Sequence, residues 1–172
     1  MESLVLTVIG PDKPGVVDAL SNIIASKGAS WEEGRMARLA GQFAGILLVK
    51  VPPDEKEALI AALHALGTSS LEVVVAHGAP EDERAGRTAV LSLVGGDRPG
   101  IVQRISRALA ERGVNVDLLE TEVARAPMSS ELLFHASATL SIPSDVDVAA
   151  VRRDLEAIAS DLMVDLALEE AD

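Results

Sequence analysis

The sequence predicts an α+β protein of two ferredoxin-like βαββαβ modules, each a four-stranded antiparallel sheet with two helices on one face. The first observation is a repeat, since Gly-Pro-Asp-Lys-Pro-Gly-Val-Val at 10–17 returns 85 positions later as Gly-Gly-Asp-Arg-Pro-Gly-Ile-Val at 95–102. Each copy follows an apolar run and precedes apolar residues at helical spacing. Beyond the motif, both halves of the chain show the same order of strand and helix patterns.

In the first half, a nearly continuous apolar run before the motif predicts a central strand. Apolar residues at helical spacing then predict a helix that ends before Gly28, a residue type common at helix ends. Gly41 suits a hairpin turn between two strands, and Pro52-Pro53 ends the second of them. The predicted elements are a strand at 4–9, a helix at 14–27, strands at 30–39 and 43–51, a helix with Leu59, Ile60, Leu63 and Leu66 on one face, and a strand at 71–75.

The second half repeats this order. Its clearest strand, at 134–142, alternates apolar and polar residues, which predicts one face toward a core and one toward water. The offset between the halves grows from 85 at the motif to 91 at Pro52/Pro143, which indicates an insertion at 126–130 that serves as a contact loop or is simply a longer hairpin. The predicted elements are a strand at 89–94, a helix at 99–112, strands at 115–125 and 134–142, a helix with Val148, Val151, Leu155 and Ile158 inward, and a strand at 162–168.

These patterns divide the chain into two modules of similar size. Residues 79–87 contain Gly, Pro and several charges with almost nothing apolar, which is typical of a linker. We therefore predict a first module at 1–78, a linker at 79–87 and a second module at 88–172. The open sheet faces are expected to pack on each other or to join edge to edge.

Composition excludes several classes of function. The net charge of −12, with no basic block, disfavours direct binding to nucleic acid or to an anionic membrane. The chain has no cysteine, which excludes disulfides, thiol nucleophiles and thiolate metal sites. No signal peptide and no membrane-spanning apolar run is recognised, so a soluble cytoplasmic protein is expected.

The duplicated motif points to an anion site. Proline suits a first helical turn and the adjacent glycine permits close approach of a ligand, so the amides at each helix start would point into the loop. Such amides bind carboxylates or phosphates. Two alternatives remain open, namely a plain strand-to-helix turn and a purely structural role for Asp12 and Asp97 as helix caps.

The motifs and the segments that follow them resemble the ACT domain family of small regulatory modules that bind amino acids. The resemblance rests on Asp-Lys-Pro-Gly at 12–15 and Asp-Arg-Pro-Gly at 97–100, followed by Lys-Gly-Ala-Ser at 27–30 and Arg-Gly-Val-Asn at 112–115. The tandem pair, with 35–45 in the first half and 126–134 in the second, is similar to the glycine cleavage system transcriptional repressor group.

The resemblance implies a ligand site in which the first loop of one module faces the second strand of its neighbour. The helix amides would bind a carboxylate, an aspartate would bind an ammonium group, and Asn115 would supply a donor and an acceptor. Ser30 replaces the asparagine in the first module. The implied ligand-binding residues are Asp12, Pro14, Gly15, Ser30, Asp97, Pro99, Gly100 and Asn115.

We therefore expect a non-catalytic regulatory protein without metal or cofactor, which senses a small amino acid, with glycine suggested by the group name. It would act through a protein partner in transcriptional control, without binding DNA or membrane itself, and a homodimer is possible. The alternatives are a detached regulatory subunit of an amino-acid enzyme and an adaptor without ligand. Glu120, Glu122 and His135 are predicted on a polar strand face and are read as a solvated surface.

Overall fold

The computed structural model describes residues 1–67, 71–78, 86–126 and 131–170. The chain divides into two compact units, Met1–Glu81 and Asp82–Asp172. The predicted bounds of modules and linker stay a prediction, because residues 79–85 lie outside the described ranges. Gly86 and Arg87, which we assigned to the linker, form the start of a strand. Most of the predicted insertion, 127–130, also lies outside the described residues.

Each unit contains four strands and two helices in the predicted order. Unit 1 consists of β1 (Glu2–Pro11), α1 (Val16–Ser26), β2 (Ser30–Leu39), β3 (Gln42–Val51), α2 (Lys56–Gly67) and β4 (Glu72–His77). Unit 2 consists of β5 (Gly86–Gly96), α3 (Ile101–Glu111), β6 (Asn115–Arg125), β7 (Leu132–Pro143), α4 (Val148–Leu162) and β8 (Val164–Glu170).

The sheets have the topology that the element order predicts. The strand orders are β2-β3-β1-β4 and β6-β7-β5-β8, and every neighbouring pair is antiparallel. The first strand of each unit is therefore central and pairs on both sides. This confirms the α+β fold class with two ferredoxin-like modules.

Each unit has its own aliphatic core between its helices and one face of its sheet. In unit 1, Leu4 and Leu6 of β1 pack with Leu20 of α1 and Leu59 of α2, all without exposed surface. The strand with the clear alternation behaves as predicted, since Phe134, Ala138, Leu140 and Ile142 are buried. None of the described helices is long and apolar enough to cross a membrane.

Two details of the repeated motif differ from the prediction. The central strands continue through Gly10 and Gly95, because these residues pair with Phe43 and Phe134 of the neighbouring strands. The helices begin at Val16 and Ile101. The motif prolines therefore lie in the loop before the helix and not in its first turn, as we had predicted.

Gly95 marks the closest approach of two strands in unit 2. It pairs with Val164 of β8, and a Cβ built on Gly95 would lie 2.8 Å from the Cβ and 2.9 Å from the Cα of Val164. The Cα and Cβ of Val164 move only with the backbone, so only a shift of β8 could make room for a side chain at position 95. A Cβ on the adjacent Gly96 would meet nothing closer than 3.8 Å.

We expect Gly95→Ala to lower the free energy of unfolding by about 1–3 kcal/mol, because an extra methyl group would force β8 away from β5. Gly96→Ala is the matched control and should change it by no more than about 0.5 kcal/mol. Urea titration monitored by circular dichroism measures both. Equal stability of the two variants would show that β8 does not pack against Gly95.

Candidate functional site

The two loops of the repeated motif have nearly the same backbone. Gly15 and Gly100 take the N-cap positions of α1 and α3 in the left-handed conformation, with φ of 93° and 94°. Their carbonyl oxygens accept the first intrahelical hydrogen bonds, from the amides of Ala19 and Arg104 at 2.9 and 3.0 Å. Only glycine adopts this φ without strain, so both copies need glycine at the bend.

Both helix starts are open to a ligand. The amides of the first helical residues have no acceptor within the helix, and a glycine N-cap offers no side-chain oxygen to them. A Cβ built on Gly15 or Gly100 would have no atom within 4 Å, so no side chain closes either bend. Pro14 and Pro99 are also exposed and border the same opening.

The aspartates of the two motifs have different surroundings. The carboxylate of Asp12 pairs with Arg38 at 2.8 Å, and its backbone amide donates to Gly41 at 2.9 Å. The amide of Asp97 donates to Leu132 at 2.9 Å, and its side chain is exposed. The alternative that these aspartates cap their helices is wrong, because glycine occupies the N-cap in both copies.

The first turns of the two helices also differ in charge. Asp18 lies in the first turn of α1, whereas the first turn of α3 contains no acidic residue and has Gln103 at the equivalent position. A carboxylate in the first turn already compensates the positive end of the helix dipole and repels a second anion. The start of α3 therefore opposes a bound anion less than the start of α1 does.

Unit 2 also has a small apolar cavity under α3. Ile101 and Val102 of the first turn line it, and its volume is about 30 Å³. Ala138 of β7 also lines it, where unit 1 has the larger Leu47. A volume of this size accommodates about two water-sized groups, so it suits a group of one or two carbons.

Ser30 and Asn115 lie far from the loop of their own unit. Asn115 and Thr88 both pair with Ser141, so Asn115 is at the start of β5, whereas the loop follows the other end of that strand at Gly96. Eight residues of strand separate these levels, which corresponds to about 26 Å. The same holds for Ser30, which pairs with Lys50 opposite Ser3. No single unit brings the loop and the second-strand residue together.

Ser30 and Asn115 instead contact acidic residues that we did not predict at the ligand site. The register shifts between Trp31 and Glu33 in β2, and likewise in β6, which makes Glu32 and Asp117 the extra residues of two β-bulges. Asn115 donates to Asp117 at 2.6 Å, and the Ser30 hydroxyl donates to Glu32. The sequence contained a signal for these contacts, because an acidic residue follows two positions after each predicted ligand residue, Ser30 and Asn115.

The bulge acids are balanced differently in the two units. Glu32 also accepts from Lys50 at 3.3 Å, whereas Asp117 accepts from the hydroxyl of Ser141, the equivalent of Lys50. The Ser30 hydroxyl first, and then Lys50, lowers the pKa of the Glu32 carboxyl below its ordinary value. Asn115 also lines a cleft of about 230 Å³ beside Arg87, Gly113 and Pro143.

The described residues offer little for acid–base or metal chemistry. Among them no polar side chain is buried, so no group is desolvated in the way that tunes catalytic residues. Within the same residues, no group of three histidine or carboxylate side chains could bind a metal. Glu122 and His135 are cross-strand neighbours on the exposed face of the unit 2 sheet, in agreement with the predicted polar face.

Comparison with known proteins agrees with the internal repeat. Residues 2–75 and residues 89–160 each match a model of the ACT domain. Together the two matches cover most of both units.

Two relatives and one solved structure extend the comparison. The glycine cleavage system transcriptional repressor of Escherichia coli is 22% identical over 161 residues, which are 92% of this chain and 85% of that protein. A UPF0237 protein of Methanopyrus kandleri is 33% identical over 84 residues, 49% of this chain and 88% of that protein. A crystal structure of an unknown protein from Galdieria sulphuraria has a TM-score of 0.89, with 29% identity and coverage of 99% of both chains.

We expect Ser30→Ala to raise the pKa of Glu32 toward its ordinary value, because the hydroxyl that stabilises the carboxylate is lost. The native contribution of this pair to stability is present above the unfolded pKa of Glu32 and is lost as pH falls through the depressed folded value. NMR titration of the glutamate side chains measures the shift.

Glu2 is the internal control for this titration. Its pKa is lowered by the hydrogen bond from Lys56, 2.6 Å away on α2, and should not change in the variant. If Glu32 titrated identically with and without the Ser30 hydroxyl, the role that we assign to Ser30 in the bulge would be wrong.

Proposed function

The chain belongs to the ACT domain family as a tandem pair, and from this premise we propose that it is a non-catalytic regulatory protein that binds a small amino acid. The observation that carries the proposal is the open start of α3. Its first amides have no acceptor within the helix and no side-chain cap at Gly100, and no acidic residue lies in its first turn. We propose this loop of unit 2 as the main ligand site.

The proposed contacts follow from charge. The amides at the start of α3 bind the carboxylate, because they combine free N–H groups with the positive end of the helix dipole. The exposed carboxylate of Asp97 binds the ammonium group. Pro99 and Gly100 shape the opening and keep side chains away from the amides.

The first unit is proposed as a weaker site of the same kind. Asp12 is already paired with Arg38, and Asp18 repels an anion at the start of α1. Pro14 and Gly15 provide the same open backbone. Ser30 and Asn115 contribute to a ligand only where a different ACT unit brings them to a loop, and within their own unit they stabilise the bulge.

Ligand size is proposed from the cavity next to the loop. A volume of about 30 Å³ beside Ile101 and Val102 admits hydrogen or a group of one or two carbons on the ligand. This supports glycine or alanine over amino acids with larger side chains. The name of the Escherichia coli relative, a glycine cleavage system transcriptional repressor, agrees with glycine.

We further propose that the ligand signal passes to another protein, in transcriptional control of amino-acid metabolism. The net charge of −12 disfavours contact with DNA, so a DNA-binding partner would carry the output. An amino-acid enzyme regulated by this chain is the second candidate partner, and co-purification distinguishes the two. An adaptor without ligand is the outcome if no amino acid binds.

Isothermal titration calorimetry against the twenty amino acids tests the site. We expect Gln103→Asp to weaken the binding of the responding amino acid about 5- to 30-fold, because the new carboxylate opposes the ligand carboxylate at the helix start. The change should keep or raise thermal stability, since acids are favourable in a first helical turn.

Gln103→Asn is the matched control, because asparagine has the shape of aspartate without its charge and should leave binding nearly unchanged. The reverse change, Asp18→Asn, should strengthen binding at unit 1. If the Gln103→Asp and Gln103→Asn variants bind with equal affinity, the ligand binds elsewhere. If none of the twenty amino acids produces heat of binding at millimolar concentration, the adaptor function is favoured.

The purified chain should not bind duplex DNA at physiological salt, because an acidic surface gains nothing from the release of DNA counterions. Fluorescence anisotropy with labelled duplex DNA measures this. Tight binding by the chain alone would contradict an output through a partner.

A further inference from the structure

The two sheets have open faces of opposite character. In unit 1, Leu4 and Leu6 of β1 point into the core, so Val5 and Thr7 point away from the helices. Their cross-strand partners point the same way. These partners are Leu48 and Ile46 of β3 and Val74 of β4. The open face is apolar at its centre, and it includes Ile9, Ile46 and Val74, which are 45%, 50% and 54% exposed. Such a surface on a small domain marks an interaction site.

The charges on this face nearly cancel. It contains three acidic residues, Glu32, Glu33 and Glu72, and two basic residues, Arg35 and Lys50. Arg35 pairs with Glu33 at 3.1 Å, and Lys50 pairs with the bulge residue Glu32 at 3.3 Å. In a chain of net charge −12, this face therefore has a formal charge of only −1.

The open face of unit 2 is acidic. At the positions that correspond to the open face of unit 1, β6 has Glu120 and Glu122, and β8 has Asp165 and Glu169. Beside these four acids lies one histidine, His135 of β7. Two copies of this face brought together would place carboxylates against carboxylates, which costs free energy. Self-association through unit 2 is therefore disfavoured.

We propose that the open sheet face of unit 1 is a self-association surface, which packs against the same face of a second copy about a two-fold axis parallel to the strands. An isologous contact requires a surface that complements itself. The nearly neutral face of unit 1 meets this requirement in charge, because each copy supplies both signs in nearly equal number.

The face also complements itself in shape. A groove of about 210 Å³ runs beside β2 and β3, lined by Val5, Arg35, Ile46 and Leu48 among others. Rotation about an axis along the strands places β4 of one copy over β2 of the other and β1 over β3, because the strand order is β2-β3-β1-β4. The half-exposed Val74 of the second copy then lies over the groove, and its Val5 lies over Leu48.

The area is sufficient for a stable dimer. The sheet has four strands about 4.8 Å apart, and its three longest strands have 10 residues each. These dimensions give a flat footprint of roughly 600 Å² per copy. Side chains raise the accessible surface above that footprint, toward the roughly 800 Å² per partner of a standard interface. Stacked sheets at about 10 Å would bury the apolar centre of both copies.

Analytical ultracentrifugation of the full chain tests the proposal. We expect a dimer at micromolar concentration, and we expect Ile46→Arg and Val74→Arg to weaken it at least about a hundredfold by placing an unpaired charge in the contact. Both side chains point outward, so the thermal stability of the monomer should not fall. The matched control, Ser137→Arg at the level equivalent to Ile46 in unit 2, should leave the dimer unchanged.

A second measurement uses the absence of cysteine from the chain. Thr7→Cys places one thiol on β1 near the proposed axis, and Ser92→Cys places one at the equivalent level of β5. Stacked sheets about 10 Å apart are too distant for a direct disulfide, so a short bismaleimide cross-linker is used. Only the Thr7→Cys variant should then form a covalently linked dimer. A monomeric parent chain, a dimer insensitive to both arginine variants, or equal cross-linking of the two cysteine variants would overturn the proposal.

Discussion

The left-handed glycine between the first strand and the first helix of each unit is the constraint on which the remaining structure depends. At φ of 93° in Gly15 and 94° in Gly100, the chain reverses within one residue, and the helix returns across the sheet that the strand has just left. Apolar residues of the helix then meet the inner face of the central strand. The same bend leaves the first helical amides without a side-chain cap, so a single backbone requirement serves both the fold and the candidate site.

On this common backbone, the two units differ mainly in where charge is placed. The first turn of the helix contains Asp18 in one unit and Gln103 in the other. The bulge acid is paired with Lys50 in unit 1 and with the hydroxyl of Ser141 in unit 2. Neither difference disturbs the sheet, because Asp18 and Gln103 lie on helices and the bulge contacts lie near the ends of the strands. Duplication thus preserves the core while the surface electrostatics diverge.

The open faces follow the same principle. A ferredoxin-like sheet buries one face against its helices, so the composition of the other face is free to change without loss of the core. Unit 1 has an apolar and nearly neutral face, and unit 2 has an acidic face with Glu120, Glu122 and Asp165. The ligand site and the association face that we propose therefore lie in different units, the first in unit 2 and the second in unit 1.

The sequence by itself determined the fold class, the order of all twelve elements and the position of both loops. Those features follow from apolar periodicity and from glycine and proline, which act within a few neighbouring residues. Periodicity does not reveal where a strand stops, however, and the pairing of Gly10 with Phe43 and of Gly95 with Phe134 extended both central strands beyond the predicted ends.

Only the tertiary structure decided which site residues lie together. Strand register places Ser30 and Asn115 about 26 Å from the loop of their own unit, next to the bulge acids Glu32 and Asp117. It also decided that Asp12 pairs with Arg38 of β2. The physical reason is that register, bulges and ion pairs join residues distant in sequence, and local patterns contain no information about such pairing.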